Sequence, residues 1–223
     1  MERAAKCTLV LGFNGTGKTT FLRQLFLRML SATQERGGRL KILIVTPDDT
    51  EWQEFPENAL ATPDDYIFDG IQRHIWQDTV GEDKHYSLGR IAMFTNGIVV
   101  FDDCKVYFGD NLPQEIVNLF VRRRQRSLDV FFVGHGFTTI PPKAFTYYSD
   151  AILFRTVDNI DRRKNCINNF EYFKRMQAEV NRKAVKQPHY HIRIKNTDVS
   201  LCANTAKISV SKMHCTSLIR KME

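Results

Sequence analysis

Gly12-Phe13-Asn14-Gly15-Thr16-Gly17-Lys18-Thr19 fits G-x-x-x-x-G-K-[ST], the phosphate-binding P-loop. The apolar run Thr8-Leu9-Val10-Leu11 before it reads as a buried strand. After it, Phe21, Leu22, Leu25, Phe26, Met29 and Leu30 recur at the spacing of one helical face. Strand, glycine-rich loop and helix are the context the motif requires. The glycines let backbone N–H groups turn inward around a polyphosphate, and the helix N-terminus adds partial positive charge. The expected nucleotide contacts are Gly12, Phe13, Asn14, Gly15, Thr16, Gly17, Lys18, Thr19 and Thr20. Lys18 is expected to reach the β- and γ-phosphates, and the Thr19 hydroxyl to hold Mg²⁺.

A second motif lies downstream. Gly97-Ile98-Val99-Val100-Phe101 ends in Asp102-Asp103, the form of a Walker B strand. A buried strand delivers two acids to its carboxyl edge, beside the loop. Asp102 is then the candidate metal ligand and Asp103 the candidate water-polarising carboxylate. The plainer alternative is two acids opening a loop after a core strand. Further apolar runs, Lys41–Thr46, Asp129–Val133 and Asp150–Arg155, read as strands. A helix is expected from Pro113, with Ile116, Val117, Phe120 and Val121 on its apolar face. Another is expected from Asn165 to about Ala184, followed by an edge strand at His189–Ile194. Residues 50–96 lack periodicity and read as an irregular insertion, with Tyr66-Ile67-Phe68 as a short strand and Leu88–Phe94 as a short helix. Residues 208–223 hold a strand candidate and a basic tail. Alternating strands and helices imply a three-layer α/β fold with a mostly parallel sheet. The nucleotide core is assigned to residues 1–157, and residues 158–223 to a C-terminal elaboration packed on it.

The chain of 223 residues suits one domain with an appendage, and 43% hydrophobic residues exclude wholesale disorder. A net charge of +7 is compatible with an anionic partner. The five cysteines are scattered, without a C-x-x-C pair, and read as free thiols of a reducing compartment. With the first strand starting so near Met1 no signal peptide is expected, and no apolar run approaches a membrane span.

Arg122-Arg123-Arg124-Gln125-Arg126 closes the helix that begins near Pro113. Cations there complement the helix dipole, which explains one or two arginines better than four. The other readings are an arginine finger acting on a neighbouring subunit's γ-phosphate, or contact with nucleic-acid phosphates. Arg124 is the first candidate for the finger and Arg126 the second. His135 ends the strand after the paired acids, where a hydrogen-bonding side chain faces the γ-phosphate; the alternative is a loop histidine between two glycines. His189 and His191 alternate on one strand face without a third metal ligand.

The ordered set resembles the FtsK–HerA superfamily of P-loop DNA-pumping ATPases over residues 7–160, and within it the small viral genome-packaging ATPases and Zot-like proteins. The carrying residues are Gly12–Thr19, Ile98–Asp103, Arg124–His135, Ile140–Phe145 and Ser149–Arg155. The resemblance implies a RecA-like fold of the additional-strand catalytic type. It also implies ATP and Mg²⁺ as cofactors, DNA as partner, and a homo-oligomeric ring, hexamer or pentamer, working with a capsid or portal component. It places the protein in the host cytoplasm or the virion. Asp103 stands where the family has glutamate, and His135 where it has glutamine. Both departures bear on hydrolysis rate rather than nucleotide binding. Zot-like proteins typically carry a membrane span, so its absence here favours the packaging type. The expected activity is ATP hydrolysis coupled to DNA translocation. Two alternatives are a P-loop small-molecule kinase and a nucleotide-gated assembly factor that does not pump.

Overall fold

A computed structural model of the chain describes residues 5–76 and 82–196. Its strands are Cys7–Leu11 (β1), Lys41–Thr46 (β2), Gly70–Ile75 (β3), Gly97–Phe101 (β4), Leu128–Gly134 (β5), Asp150–Phe154 (β6) and His191–Lys195 (β7). They form one sheet in the order β3-β2-β4-β5-β1-β6-β7. Every neighbouring pair is parallel except β6 with β7. The helices are Lys18–Gln34 (α1), Glu82–Ala92 (α2), Gln114–Arg122 (α3), Ala144–Tyr147 (α4) and Phe170–Ala184 (α5).

The central strands are apolar on both faces because helices cover both. Val10, Ile44, Val100, Phe131 and Val133 point to one side, where Leu22 and Phe26 of α1 are fully buried against them. Each such side chain contributes about 2 kcal/mol by leaving water. Leu9, Val45, Phe101, Val130 and Phe132 point to the other side, onto α2, α3, α4 and α5. Phe132 stacks there on Phe101 and Phe120, with ring centroids 5.4 and 5.1 Å apart. This is the three-layer P-loop NTPase fold. Strand β5 stands between the loop-bearing β1 and the acid-bearing β4, as the RecA-like additional-strand type requires. Among the described residues no helix is long and apolar enough to cross a membrane.

Several local expectations are corrected. Residues 50–96 are not an irregular insertion: they carry the parallel edge strand β3 and helix α2. Tyr66-Ile67-Phe68 is not a strand; a 3₁₀ turn capped by Thr62 ends at Tyr66, and the strand begins at Gly70. Val121 lies on the exposed side of α3, and Leu119 takes its place in the core. Helix α5 begins at Phe170, after Asn169 in the left-handed conformation with φ 53°. Residues 208–223 lie outside the described residues.

Candidate functional site

All the expected chemistry except the arginines converges at the carboxyl edge of β2, β4, β5 and β1. The loop after β1 is suspended between its neighbours. Gly12 N–H donates to Gly134 O at 3.1 Å, and Phe13 N–H donates to Arg155 O at 2.8 Å. Gly15 and Gly17 adopt φ 74° and 90°, turning the loop into the first residue of α1. A Cβ on Gly12 would stand 2.5 Å from Phe154 Cβ, so the close approach of loop and β6 demands glycine. Inside the loop, Lys18 Nζ donates to Gly12 O at 2.7 Å and to Phe13 O at 3.1 Å. Burial pulls the Lys18 ammonium below its ordinary pKa, opposed by the charges of Asp102, Asp103 and Glu51. Phe13, Asn14, Gly15 and Thr20 are exposed, whereas Thr16 and Lys18 are buried.

The paired acids take different environments. Asp102 is buried, and its N–H donates to Val45 O at 2.9 Å. Its Oδ2 accepts the indole N–H of Trp52 at 2.7 Å. Burial raises its pKa; hydrogen bonds from Trp52 and Glu51, and the Lys18 charge, work against that. Asp103 turns away from the strand with φ 49°, and its Oδ2 lies 3.4 Å from His135 Nε2. His135 thus reaches the second acid across the β4–β5 boundary. Its loop is braced: Gly136 N–H donates to Thr139 Oγ1, and Thr156 Oγ1 donates to His135 O. In turn α5 holds that brace through Asn181 and Gln177. Asp102 and the Thr19 hydroxyl are hard oxygen donors on facing elements beside a phosphate loop, a donor set that fits Mg²⁺.

Three residues arrive that sequence patterning did not select. Glu51 and Trp52 follow β2 on a loop that turns back over the site; an acid just beyond a parallel strand was the available signal. Glu51's carboxyl is pushed up to about 7, first by burial and then by the Asp102 charge. Asp48, its neighbour, is instead held low by hydrogen bonds from Thr50. His189, before β7, places Nδ1 3.2 Å from Thr16 O, against the bare face of Gly17. The sequence shows its alternation with His191 but nothing that places it against the loop. Its companion His191 packs between Phe21 and Phe154.

The arginine cluster lies at the opposite edge. Residues 122–126 precede β5, whose seven residues separate them from His135 by about 20 Å. Arg122 and Arg124 are exposed. Arg126 is engaged, donating from Nη1 to Ala92 O, and its own carbonyl accepts from Asn96 N–H at 2.8 Å. Arg123 donates to Phe120 O at 2.8 Å. None of these guanidinium groups reaches the loop of its own chain.

No protein-family model matches the sequence, and no curated protein matches it. Solved structures do match the fold. One is the genome packaging NTPase B204 of Sulfolobus turreted icosahedral virus 2 in complex with AMP, with a TM-score of 0.66 at 11% identity, covering 93% of this chain and 98% of that one. The same NTPase in complex with AMPPCP gives 0.66 at 12% identity, covering 88% and 95%. B204, the DNA-packaging ATPase of Sulfolobus turreted icosahedral virus, gives 0.64 at 11% identity, covering 86% and 93%. At these identities the likeness establishes a shared fold over nearly the whole of both chains.

Proposed function

We propose that this chain is an ATP-hydrolysing DNA translocase, a viral genome-packaging ATPase that works as a homo-oligomeric ring. The observation that carries the reading is the joint placement of Lys18, opening α1 beyond the loop after β1, with Asp102 and Asp103 after β4 and His135 after β5, at the ends of three neighbouring strands. The shared fold with a genome packaging NTPase solved with AMPPCP supports it.

In this reading, residues Gly12–Thr20 cradle the triphosphate with backbone N–H groups, and the Lys18 ammonium leaves its loop carbonyls for the β- and γ-phosphates. Thr19 and Asp102 hold Mg²⁺, which when bound neutralises phosphate charge. Asp103 orients and polarises the attacking water. His135, already against Asp103, hydrogen-bonds the γ-phosphate side of that water and links its loss to the loop braced by α5. Arg124, exposed about 20 Å from its own loop, acts on the nucleotide of a neighbouring subunit. Residues 1–157 form the motor core and residues 158–223 a C-terminal elaboration, of which helix α5 braces the loop after β5.

Phosphate release measured with and without DNA and Mg²⁺ tests the proposal. DNA-stimulated, Mg²⁺-dependent hydrolysis is expected. Nucleotide binding with no effect of DNA on turnover points to a nucleotide-gated assembly factor instead. Phosphate appearing on a small acceptor points to a kinase.

A further inference from the structure

Trp52 is set in a way that packing alone does not require. It is 1% exposed, yet it lies in a loop and adopts φ 61°, a left-handed conformation that a bulky residue rarely takes. Its loop is tied down on three sides. Arg73 of β3 donates to Asp49 O at 2.6 Å and to Glu51 O at 3.1 Å. Arg23 of α1 pairs with Glu54 and lies 5.5 Å from the Trp52 ring. Phe55 flanks the indole, its ring centroid 6.2 Å away. The anchored loop therefore holds the unfavourable φ, and the outcome is one hydrogen bond: indole N–H to Asp102 Oδ2, 2.7 Å, fully buried. A buried indole N–H needs an acceptor, and a backbone carbonyl would serve for packing. Here the acceptor is the carboxylate beside the phosphate loop.

We infer that Trp52 is a positioning residue for Asp102, fixing which carboxylate oxygen faces the metal of the bound Mg·nucleotide. This rests on the proposed nucleotide site. A short aspartate turns readily about its terminal torsion and can offer either oxygen. The indole occupies Oδ2 and fixes the plane of the group. Donors of this kind behind a metal ligand commonly change metal affinity by about 10-fold or more when removed.

The test compares Trp52→Phe with the natural chain. Binding of mant-ADP is followed by direct excitation of the mant group, first in EDTA and then across a Mg²⁺ titration. The expected result is unchanged binding in EDTA and a Mg²⁺ midpoint raised about 10-fold in the variant. Trp52→His, which restores a ring N–H, should recover part of the loss. An unchanged midpoint in folded Trp52→Phe overturns the inference while leaving the nucleotide site intact. If the natural chain binds no mant-ADP, the proposed function fails first and the inference with it. Should Trp52→Phe not fold, Trp76→Phe leaves Trp52 as the one indole of the chain. Its emission should then change when Mg²⁺ is added to the ADP complex, and a constant spectrum overturns the inference.

Discussion

Glu51→Gln should stabilise the nucleotide-free protein at neutral pH and do nothing comparable at pH 5. Glu51 shares its site with the buried Asp102, and its carboxyl is displaced from 4.5 up to about 7. Taken in full at about 1.4 kcal/mol per pH unit, that displacement amounts to about 3 kcal/mol. Glu51 is exposed to solvent on its outer side, so screening reduces the figure to about 1 kcal/mol. The sign follows from the raised folded-state pKa. Below 4.5 the group is protonated in both states and folding is not penalised; from there upward the unfolded chain ionises while the folded protein holds its proton, so stability falls and the loss is complete as pH rises through about 7. The glutamine variant is neutral throughout and escapes that loss. In a chain of this size about 1 kcal/mol corresponds to roughly 2–4 °C in Tm. The assay is thermal unfolding of both proteins in EDTA, without nucleotide, from pH 5 to pH 8. The difference in Tm should be near zero at the acid end and reach roughly 2–4 °C in favour of the variant at the basic end. Parallel profiles would refute the coupling between Glu51 and Asp102.

Three further outcomes are expected. Asp103→Asn should bind ATP but hydrolyse it about 10²-fold more slowly or worse, the range for loss of a general base; native phosphate release in that variant would move the catalytic carboxylate to Glu51. Arg124→Ala and Lys18→Ala should each hydrolyse poorly, by about 10³-fold for a finger acting between subunits, and mixed rings should regain activity because each supplies what the other lacks; mixed rings no more active than either variant would defeat that assignment. Gly12→Ala should lower Tm through about 1–3 kcal/mol of overpacking, since the new methyl meets Phe154 Cβ at 2.5 Å and Thr16 Oγ1 at 3.0 Å, and a native Tm with intact mant-ADP binding would refute the clash.

What the sequence exposes here is whatever a strand or helix period encodes. Strands β1, β2, β4, β5 and β6 are buried on both faces, so each appears as a nearly continuous apolar run, and the loop and acids follow from where those runs end. Strand β3 escapes because it is an edge strand: of Gly70–Ile75 only Ile71 is buried, and an edge paired on one side needs no apolar run. Val121 misleads for a related reason, since a nine-residue helix whose buried side includes Ile116, Leu119 and Phe120 has room for an exposed valine. Trp52, Glu51 and His189 are hidden more deeply. They reach the site through chain direction, by a loop tied to Arg73 and Arg23 and by a turn before β7, and neither constraint leaves a periodic trace. The same reasoning separates the first and second candidates for the finger. Arg126 is bound to the carbonyl at the end of α2 and serves the fold, whereas Arg124 is exposed at the surface. A guanidinium that cannot reach its own phosphate loop has a catalytic use only if another subunit brings a loop to it. The ring and the finger are therefore one hypothesis, and the mixing experiment decides both at once.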